Sequence, residues 1–189
     1  MTSIEFKRLW NPDDKLYKWG EFNIHEIEKA PINASTKQFL KGGFPNSAAP
    51  FVGFGWRIYD DKFLNIADAY PKYQPGNSAK NYWIFGSDGS GNPICFDITN
   101  NDRVVLLDHE QRFALLDIMN SDIAELAACL LAYKNFGSRV QRENGKGAFL
   151  DSDISPNQLA DLKDEFKQIN NNIFKISDFW RNKINSLAG

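Results

Sequence analysis

Residues 82–136 place the strongest constraint on the fold of this chain. Short apolar runs alternate there with turn residues such as Asp88-Gly-Ser-Gly-Asn-Pro93, and the last run leads into a helical pattern. Glycine accepts positive φ in such a turn, and Asp and Asn supply local side-chain caps, so each connection is tight. Short links between successive strands favour antiparallel pairing. We therefore expect an antiparallel strand meander that is closed by a helix.

The meander is predicted to contain four strands. In the second and fourth strands, apolar residues recur at every second position, which puts the apolar set on one face. The third strand is apolar throughout and is expected to be covered on both faces. The predicted strands or their apolar sets are 82–85; Ile94, Phe96 and Ile98; 104–107; and Ala114, Leu116 and Ile118.

Helix signals flank the meander on both sides. Asn120 and Ser121 precede an apolar stripe of helical period and predict its N-cap, and Gly137 is expected to end that helix. Upstream, Ser35 is expected to cap a short helix that Gly42 stops. The meander should therefore pack between a short preceding helix and a longer following one.

The C-terminal part predicts a loop and two more helices. Residues 137–153 are polar and contain glycine, which predicts a surface loop or a short disordered insert. Ser155-Pro-Asn-Gln158 combines an N-cap, a Pro at the first helical position and a Gln three residues later, which is a capping box. Ser177 is expected to cap the last helix. Residues 1–33 show only a weak helical pattern, and 55–80 favour no single structure.

Charge and hydropathy exclude several classes of protein. The net charge is −2, from 22 Lys plus Arg against 24 Asp plus Glu, and no Lys/Arg-rich run suits a nucleic-acid backbone. No apolar run approaches a membrane span, and the N-terminal sequence lacks the apolar core of a signal peptide. We expect a cytoplasmic protein with no direct nucleic-acid or membrane partner. Its 189 residues suit a single domain over 1–189, with a core near 31–136 and a C-terminal helical extension near 154–189.

The sequence shows no pattern typical of a catalytic or metal-binding site. The two histidines, His25 and His109, are far apart, and neither lies at metal-ligand spacing from cysteines or acids. No nucleophile elbow is present. Cys95 and Cys129 lie in apolar runs and are expected to be buried free thiols, although the sequence leaves a bridge between them open. We expect no enzyme, no catalytic residue, no metal and no cofactor.

Two groups of side chains are candidates for a protein interface. Paired acids usually belong to solvated loops, but acids that cluster in the fold would give an acidic patch for a basic partner. Aromatic residues in the irregular segment are by default core residues, and on an exposed loop they would be interface anchors. These candidates are Trp56, Tyr59, Asp60, Asp61, Asp151 and Asp153.

Four motifs, taken in order, resemble the fourth group of the SUKH superfamily, which is related to the yeast glucan-synthesis regulators. They are Thr36-Lys-Gln-Phe-Leu-Lys-Gly-Gly-Phe-Pro45, residues 85–94, residues 97–108, and Met119-Asn-Ser-Asp-Ile-Ala-Glu-Leu126. The C-terminal tail is also similar. The chain departs from the group in having Gly-Gly-Phe-Pro where Val-Gly-Leu-Pro is usual. The motif residues are Phe39, Leu40, Gly43, Pro45, Gly86, Asp88, Gly91, Asp97, Asn120, Ser121 and Trp180.

The resemblance implies both a fold and a function. The implied fold is α+β, with a curved, mostly antiparallel sheet packed by N-terminal, central and C-terminal helices. The implied function is that of an immunity protein, which binds and neutralises a bacterial toxin by stoichiometric occlusion. Toxins neutralised by this superfamily are often nucleases or deaminases, and the resemblance carries over no catalytic residue. A regulatory or scaffolding module for a cellular protein or small ligand is the alternative.

Overall fold

The structure, a computed structural model, describes residues 1–10, 18–56, 60–73 and 76–188. This part of the chain forms an α+β fold, as predicted, with eight α-helices and eight β-strands. The helices are α1 Ser3–Trp10, α2 Ile24–Lys29, α3 Ala34–Leu40, α4 Ile66–Ala69, α5 Ile123–Asn144, α6 Pro156–Ile169, α7 Ile173–Ile176 and α8 Asp178–Asn185. The strands are β1 Trp19–Gly20, β2 Phe44–Pro45, β3 Ser47–Ala48, β4 Val52–Phe54, β5 Tyr82–Asp88, β6 Pro93–Asp97, β7 Arg103–Asp108 and β8 Ala114–Asn120.

The six strands β3 to β8 form one antiparallel sheet in chain order. This order confirms the predicted meander, because every strand pairs with its sequence neighbours. Short connections join β5 to β6, β6 to β7 and β7 to β8, whereas a long connection over residues 55–81 joins β4 to β5. In the turn between β6 and β7, Asn101 has a φ of 57° and Asp102 a φ of 57°, a left-handed conformation that Asn and Asp tolerate better than most residues. The remaining strands, β1 and β2, form a separate two-stranded antiparallel sheet.

Both faces of the large sheet are buried. The main core lies on one face, where helices including α1, α3, α5, α6 and α8 contribute buried residues. On the other face, α4 and the 3-10 helix Asn77–Asn81 cover a smaller cluster that includes Cys95, Val105 and Leu107. The prediction that 104–107 is covered on both faces is therefore confirmed. The apolar set predicted for the second strand is confirmed, because Ile94 and Phe96 lie in the main core and Ile98 packs against it. Cys95, which alternates with them, is buried in the smaller cluster on the opposite face.

Register shifts explain why the last strand departs from its predicted pattern. Leu106 pairs with Asp117 and Leu107 with Leu115, so Leu116 is an extra residue in β8. Such a bulge moves the side chains beyond it to the opposite face. The predicted apolar face of Ala114, Leu116 and Ile118 is accordingly broken, and Leu116 is 51% exposed.

The long helix α5 differs from its prediction at both ends. Asp122 is its N-cap, and the Asp122 carboxylate accepts a hydrogen bond from the backbone N–H of Glu125 at 2.7 Å. The cap predicted at Asn120 and Ser121 is therefore wrong by one residue. The helix also continues through Gly137 to Asn144, so the surface loop predicted for 137–153 begins only after it. Glycine in a helix lowers its stability without ending it when tertiary contacts hold both sides.

Of the other three predicted helix caps, one is wrong and two are confirmed. The short helix α3 begins after Asn33, and Ser35 lies inside it, so the cap predicted at Ser35 is wrong. The capping box of α6 is confirmed in both directions between Ser155 and Gln158. Ser177 caps α8, as predicted, and its Oγ accepts a hydrogen bond from the backbone N–H of Trp180 at 3.3 Å.

Candidate functional site

An open cleft lies beside the short strand β1 and the β4–β5 region of the large sheet. Its volume is about 790 Å³. Its lining includes residues 19–23, residues 53–56, Asp61, Tyr70 and Ser87. We call this site the β1–β5 cleft. Its walls come from segments that are far apart in sequence, so only the folded sheet assembles them.

Close backbone approaches shape two walls of the cleft. Gly20 in β1 lies against the side chain of Asn46, and Gly86 in β5 lies against the carbonyl oxygen of Gly53. A Cβ atom at either glycine would collide with these groups. Glycine is therefore required at position 86 for β5 to approach β4, which gives the motif residue Gly86 a structural role, whereas at position 20 the clash is with the end of a flexible side chain.

Trp56 contributes an aromatic surface at the bottom of the cleft. It is only 3% exposed. Its ring stacks on Phe63 at a centroid distance of 4.3 Å and an interplanar angle of 12°, and it contacts Phe22 at 4.8 Å. Trp56 is thus a core residue, which was the default expectation, and it also lines the cleft. Its buried indole Nε1 has no acceptor among the described residues.

Two carboxylates give the cleft its charge. Glu21 and Asp61 both line it, and both are exposed. In the described part of the chain, neither side chain forms a hydrogen bond or an ion pair, and no Lys or Arg lines the cleft. Asp61 is fixed by its backbone, which has a φ of 57° and donates a hydrogen bond to the carbonyl of Trp56 at 3.2 Å. Cations lie beside the cleft as well, because Glu21 also borders a neighbouring depression that is lined by Lys7, Arg8 and Lys41.

Asp60, Asp151 and Asp153 are not among the described residues that line this cleft. Asp60 precedes Asp61 in the same exposed turn. Asp151 and Asp153 are exposed in the connection between α5 and α6, where their backbone N–H groups bond to Gly147 and Ala148. Tyr59 lies outside the described residues. The fold thus unites Trp56 with Asp61 and places Asp151 and Asp153 on a different structural element.

Sequence reasoning missed the contribution of residues 19–23. Strand β1 has two residues, too few to show the period of two that identifies a strand. The weak helical pattern predicted for 1–33 is confirmed only for α1 and α2, which flank this segment. Glu21 had no sequence signal as a site residue, because only tertiary structure brings it to the cleft that Asp61 also lines.

The first family motif anchors the two-stranded sheet. Phe39 and Leu40 are buried in the main core. Gly43 has a φ of 79°, and a Cβ atom there would collide with the carbonyl oxygen of Gly20. Pro45 pairs with Trp19 in the two-stranded sheet. This motif therefore holds the strand that forms one wall of the cleft.

The central motifs form two turns of the meander. Asp88 Oδ1 accepts hydrogen bonds from the backbone N–H groups of Ser90 and Asn92, each at 2.9 Å. Gly91 in this turn has a φ of 88°, which only glycine adopts without strain. These contacts fix the β5–β6 connection and support the prediction of a tight turn.

Asp97 is a buried carboxylate with several donors. It pairs with the Arg103 guanidinium at 2.9 Å, and its Oδ1 accepts the Thr99 hydroxyl hydrogen bond at 2.7 Å. Burial alone would raise the pKa of Asp97, but hydrogen bonds from Thr99, Asn100 and Arg103 outweigh it and lower the pKa. Its contacts identify a structural role in the turn that leads into β7.

The last motif forms a buried polar network. Asn120 accepts a hydrogen bond from Trp180 Nε1 at 3.0 Å and donates to Glu125 Oε1 at 3.2 Å. Ser121 is exposed and precedes the N-cap of α5. The motif thus joins the end of β8 to α5 and α8.

Groups that could act in catalysis lie apart from the cleft. His25 and His109 are exposed, and His109 Nδ1 contacts Asn92 Oδ1 at 2.8 Å. Cys95 and Cys129 are buried free thiols, as predicted, and burial raises the pKa of both. The described residues contain no group of three or more side chains able to hold a metal ion. None of the described helices has the length and hydropathy to span a membrane.

Comparison with known proteins identifies the family. The model of the family described as SUKH-4 immunity protein matches residues 19–180 of the 189-residue chain. Comparisons with curated proteins and with solved structures give no match. The family match spans all four motifs and Trp180, and it confirms the resemblance that they indicated. The protein therefore belongs to the SUKH-4 immunity protein family.

Proposed function

We propose that the protein is an immunity protein that neutralises a cognate toxin by binding it stoichiometrically and blocking its active surface. The family match over residues 19–180 carries this proposal. We further propose that it acts in the cytoplasm on a toxin of the nuclease or deaminase type. The main core includes residues from Phe6 to Leu187, which supports residues 1–189 acting as one domain.

Stoichiometric occlusion requires a binding surface and does not require catalytic groups. A stable complex of this kind buries about 1,600 Å² in total. In the described part of the chain, His25 is exposed on α2 and His109 is exposed in the turn after β7, and the thiols are buried with raised pKa values. A nucleophile needs a lowered pKa or an adjacent base. The described groups therefore favour a binding protein over an enzyme.

The test uses the toxin domain encoded by the gene adjacent to that of this protein. The two proteins are co-purified, sized by gel filtration and tested together for rescue of bacterial growth. We expect an equimolar complex and restored growth. A titration of toxin activity then separates occlusion from enzymatic inactivation, because occlusion gives an end point at one immunity protein per toxin. Full inhibition at a small fraction of that ratio would overturn occlusion, and no complex and no rescue would overturn the immunity function.

A further inference from the structure

Phe51 differs from every other phenylalanine of the chain in its exposure. All 15 Phe residues lie in the described part of the chain, and the others are buried or half-buried. Phe51 is 82% exposed, and its ring contacts no other described aromatic ring. A buried phenylalanine supplies a large apolar area to the core. Phe51 supplies very little, so core packing does not explain an aromatic residue at this position.

The backbone conformation of Phe51 is also unfavourable. Its φ is 61°, a left-handed conformation that residues with a Cβ atom disfavour. Phe113 has a nearly equal φ of 62°, but it is only 6% exposed and its ring contacts that of Tyr70 at 4.8 Å. Packing therefore offsets the strain at Phe113, and no described ring contact does so at Phe51. Uncompensated backbone strain of this kind clusters at functional sites.

Neighbouring strands and a turn fix the position of Phe51. It lies between β3 and β4, where Ala48 pairs with Val52, and Val52 in turn pairs with Asp88 of β5. A Cβ atom at Gly89 would meet the Phe51 Cβ at 3.3 Å, so the β5–β6 turn passes directly beside it. The backbone is thus held while the ring lies in solvent. A side chain presented in this way loses little conformational freedom when a partner binds it.

The surroundings of Phe51 suit a protein partner. The connections 49–51 and 88–92 lie side by side there and contain no Lys or Arg, whereas segments that bind anionic membranes carry basic residues beside apolar ones. Aromatic residues are enriched at the centres of protein interfaces, where they fill pockets of the partner. Gly53, two residues further along the chain, lines the β1–β5 cleft. A protein seated on Phe51 therefore also reaches that cleft.

We propose that Phe51 anchors the toxin interface, with its ring inserted into an apolar pocket of the cognate toxin. The connections 49–51 and 88–92 form the contact surface around it. This inference rests on the proposed function and adds the position of the contact and its apolar chemistry. It also accounts for a strained and exposed aromatic residue that folding alone does not favour.

The first experiment measures binding of the toxin domain to two matched apolar variants. Phe51→Ala removes the proposed anchor. Leu150→Ala is the control, because Leu150 is 80% exposed in the connection between α5 and α6. Both side chains are exposed, so both variants should fold like the wild type, which circular dichroism checks. We expect Phe51→Ala to weaken binding about thirtyfold or more, and Leu150→Ala to bind within about twofold of wild type.

Different results would overturn the proposal in different ways. Binding by Phe51→Ala within about threefold of wild type would show that Phe51 is not an anchor. Loss of binding by Leu150→Ala alone would place the toxin on the α5–α6 connection. A wild-type dimer that Phe51→Ala converts to a monomer, measured by sedimentation without the toxin, would identify a second copy as the occupant. Failure of the wild-type protein to bind any toxin would overturn the proposed function, and this contact with it.

A second experiment tests the strain at Phe51 without the toxin. Phe51→Gly and Phe113→Gly each replace a phenylalanine in a left-handed conformation, which glycine adopts without strain. Because Phe51 has little packing to lose, we expect the thermal midpoint of Phe51→Gly to equal or exceed that of wild type. Phe113→Gly should lower the midpoint, since it removes a buried ring. A fall for Phe51→Gly as large as that for Phe113→Gly would show that the Phe51 side chain stabilises the fold, and would overturn the proposal.

Discussion

The indole Nε1 of Trp180 donates a hydrogen bond to Oδ1 of Asn120 at 3.0 Å, and both side chains are completely buried. Asn120 also donates through Nδ2 to Glu125 Oε1 at 3.2 Å and to Cys129 Sγ at 3.4 Å. One amide thus bonds to groups on α5 and α8 from the end of β8. The C-terminal helices are therefore fixed to the sheet by a polar network as well as by apolar packing.

Substitution Trp180→Phe should lower the free energy of unfolding. It leaves the buried Oδ1 of Asn120 without its indole donor, and an unpaired buried acceptor costs about 1–3 kcal/mol. The loss of ring volume adds to this cost. Urea denaturation followed by circular dichroism measures the change.

A matched substitution separates the effect of losing the hydrogen bond from the effect of losing ring volume. The Nε1 of Trp83 is buried and has no acceptor among the described residues, so Trp83→Phe removes similar volume and no hydrogen bond. We expect the smaller loss of stability from Trp83→Phe. Equal losses would show that the Trp180–Asn120 bond adds nothing to stability beyond packing.

The Asn120–Trp180 pair also shows which features the sequence can predict. The sequence indicated the polar residue before α5 and the helix that carries Trp180, because capping and periodicity are local signals. Their mutual bond spans 60 positions, and no local pattern encodes such a contact. The capping box at Ser155 was predictable because it joins residues only three positions apart.

The misses in the fold have the same origin. Leu116 is an extra residue in β8, and bulges break the period on which strand prediction depends. Gly137 carries a strong local stop signal, but α5 passes through it. Trp56 and Asp61, both candidates from the sequence, lie in one irregular segment, and both line the cleft. Glu21 was not a candidate, because the fold brings it to the same cleft from β1.

Substitution Gly43→Ala should be strongly destabilising. Its φ of 79° costs an L-residue about 1–2 kcal/mol, and a Cβ atom would also collide with the carbonyl oxygen of Gly20. Gly76→Ala is the control, because Gly76 has a φ of −60° and no atom near the position of the new Cβ. We expect Gly76→Ala to change the free energy of unfolding by less than about 0.5 kcal/mol. Similar thermal midpoints for the two variants would contradict the role assigned to Gly43.

Substitution Gly137→Ala should stabilise the protein. The residue lies inside α5, and a Cβ atom there would meet the Phe149 ring at 3.6 Å, an ordinary van der Waals distance. Alanine in a helix interior is favoured over glycine by about 0.5–1 kcal/mol. Ala128→Gly in the same helix should give a change of opposite sign. A loss of stability from Gly137→Ala would indicate that the helix ends at Gly137, as the sequence alone suggested.

Two carboxylates, the buried Asp97 and the half-buried Asp117, should give opposite pH dependences of stability. Hydrogen bonds from Thr99, Asn100 and Arg103 outweigh the burial of Asp97 and lower its pKa. Its stabilising contribution is present above the pKa of the unfolded chain and is lost as pH falls through the lower folded value. Burial raises the pKa of Asp117, and hydrogen bonds from the backbone N–H groups of Phe179 and Asp178 only partly offset this. Its contribution is present at low pH and is lost as pH rises through the higher folded value.

Urea denaturation between about pH 3 and pH 7, a range around the reference pKa of Asp, tests this opposition with the variants Asp97→Asn and Asp117→Asn. The informative quantity is the slope of the free energy of unfolding against pH, because both variants also change its absolute level. Asp97→Asn should lose part of the stability that wild type gains as pH rises from the acid end. Asp117→Asn should gain more stability with rising pH than wild type does, since no desolvated charge then develops at that position. Curves for both variants that run parallel to wild type would show that neither carboxylate titrates differently in the folded and unfolded chains.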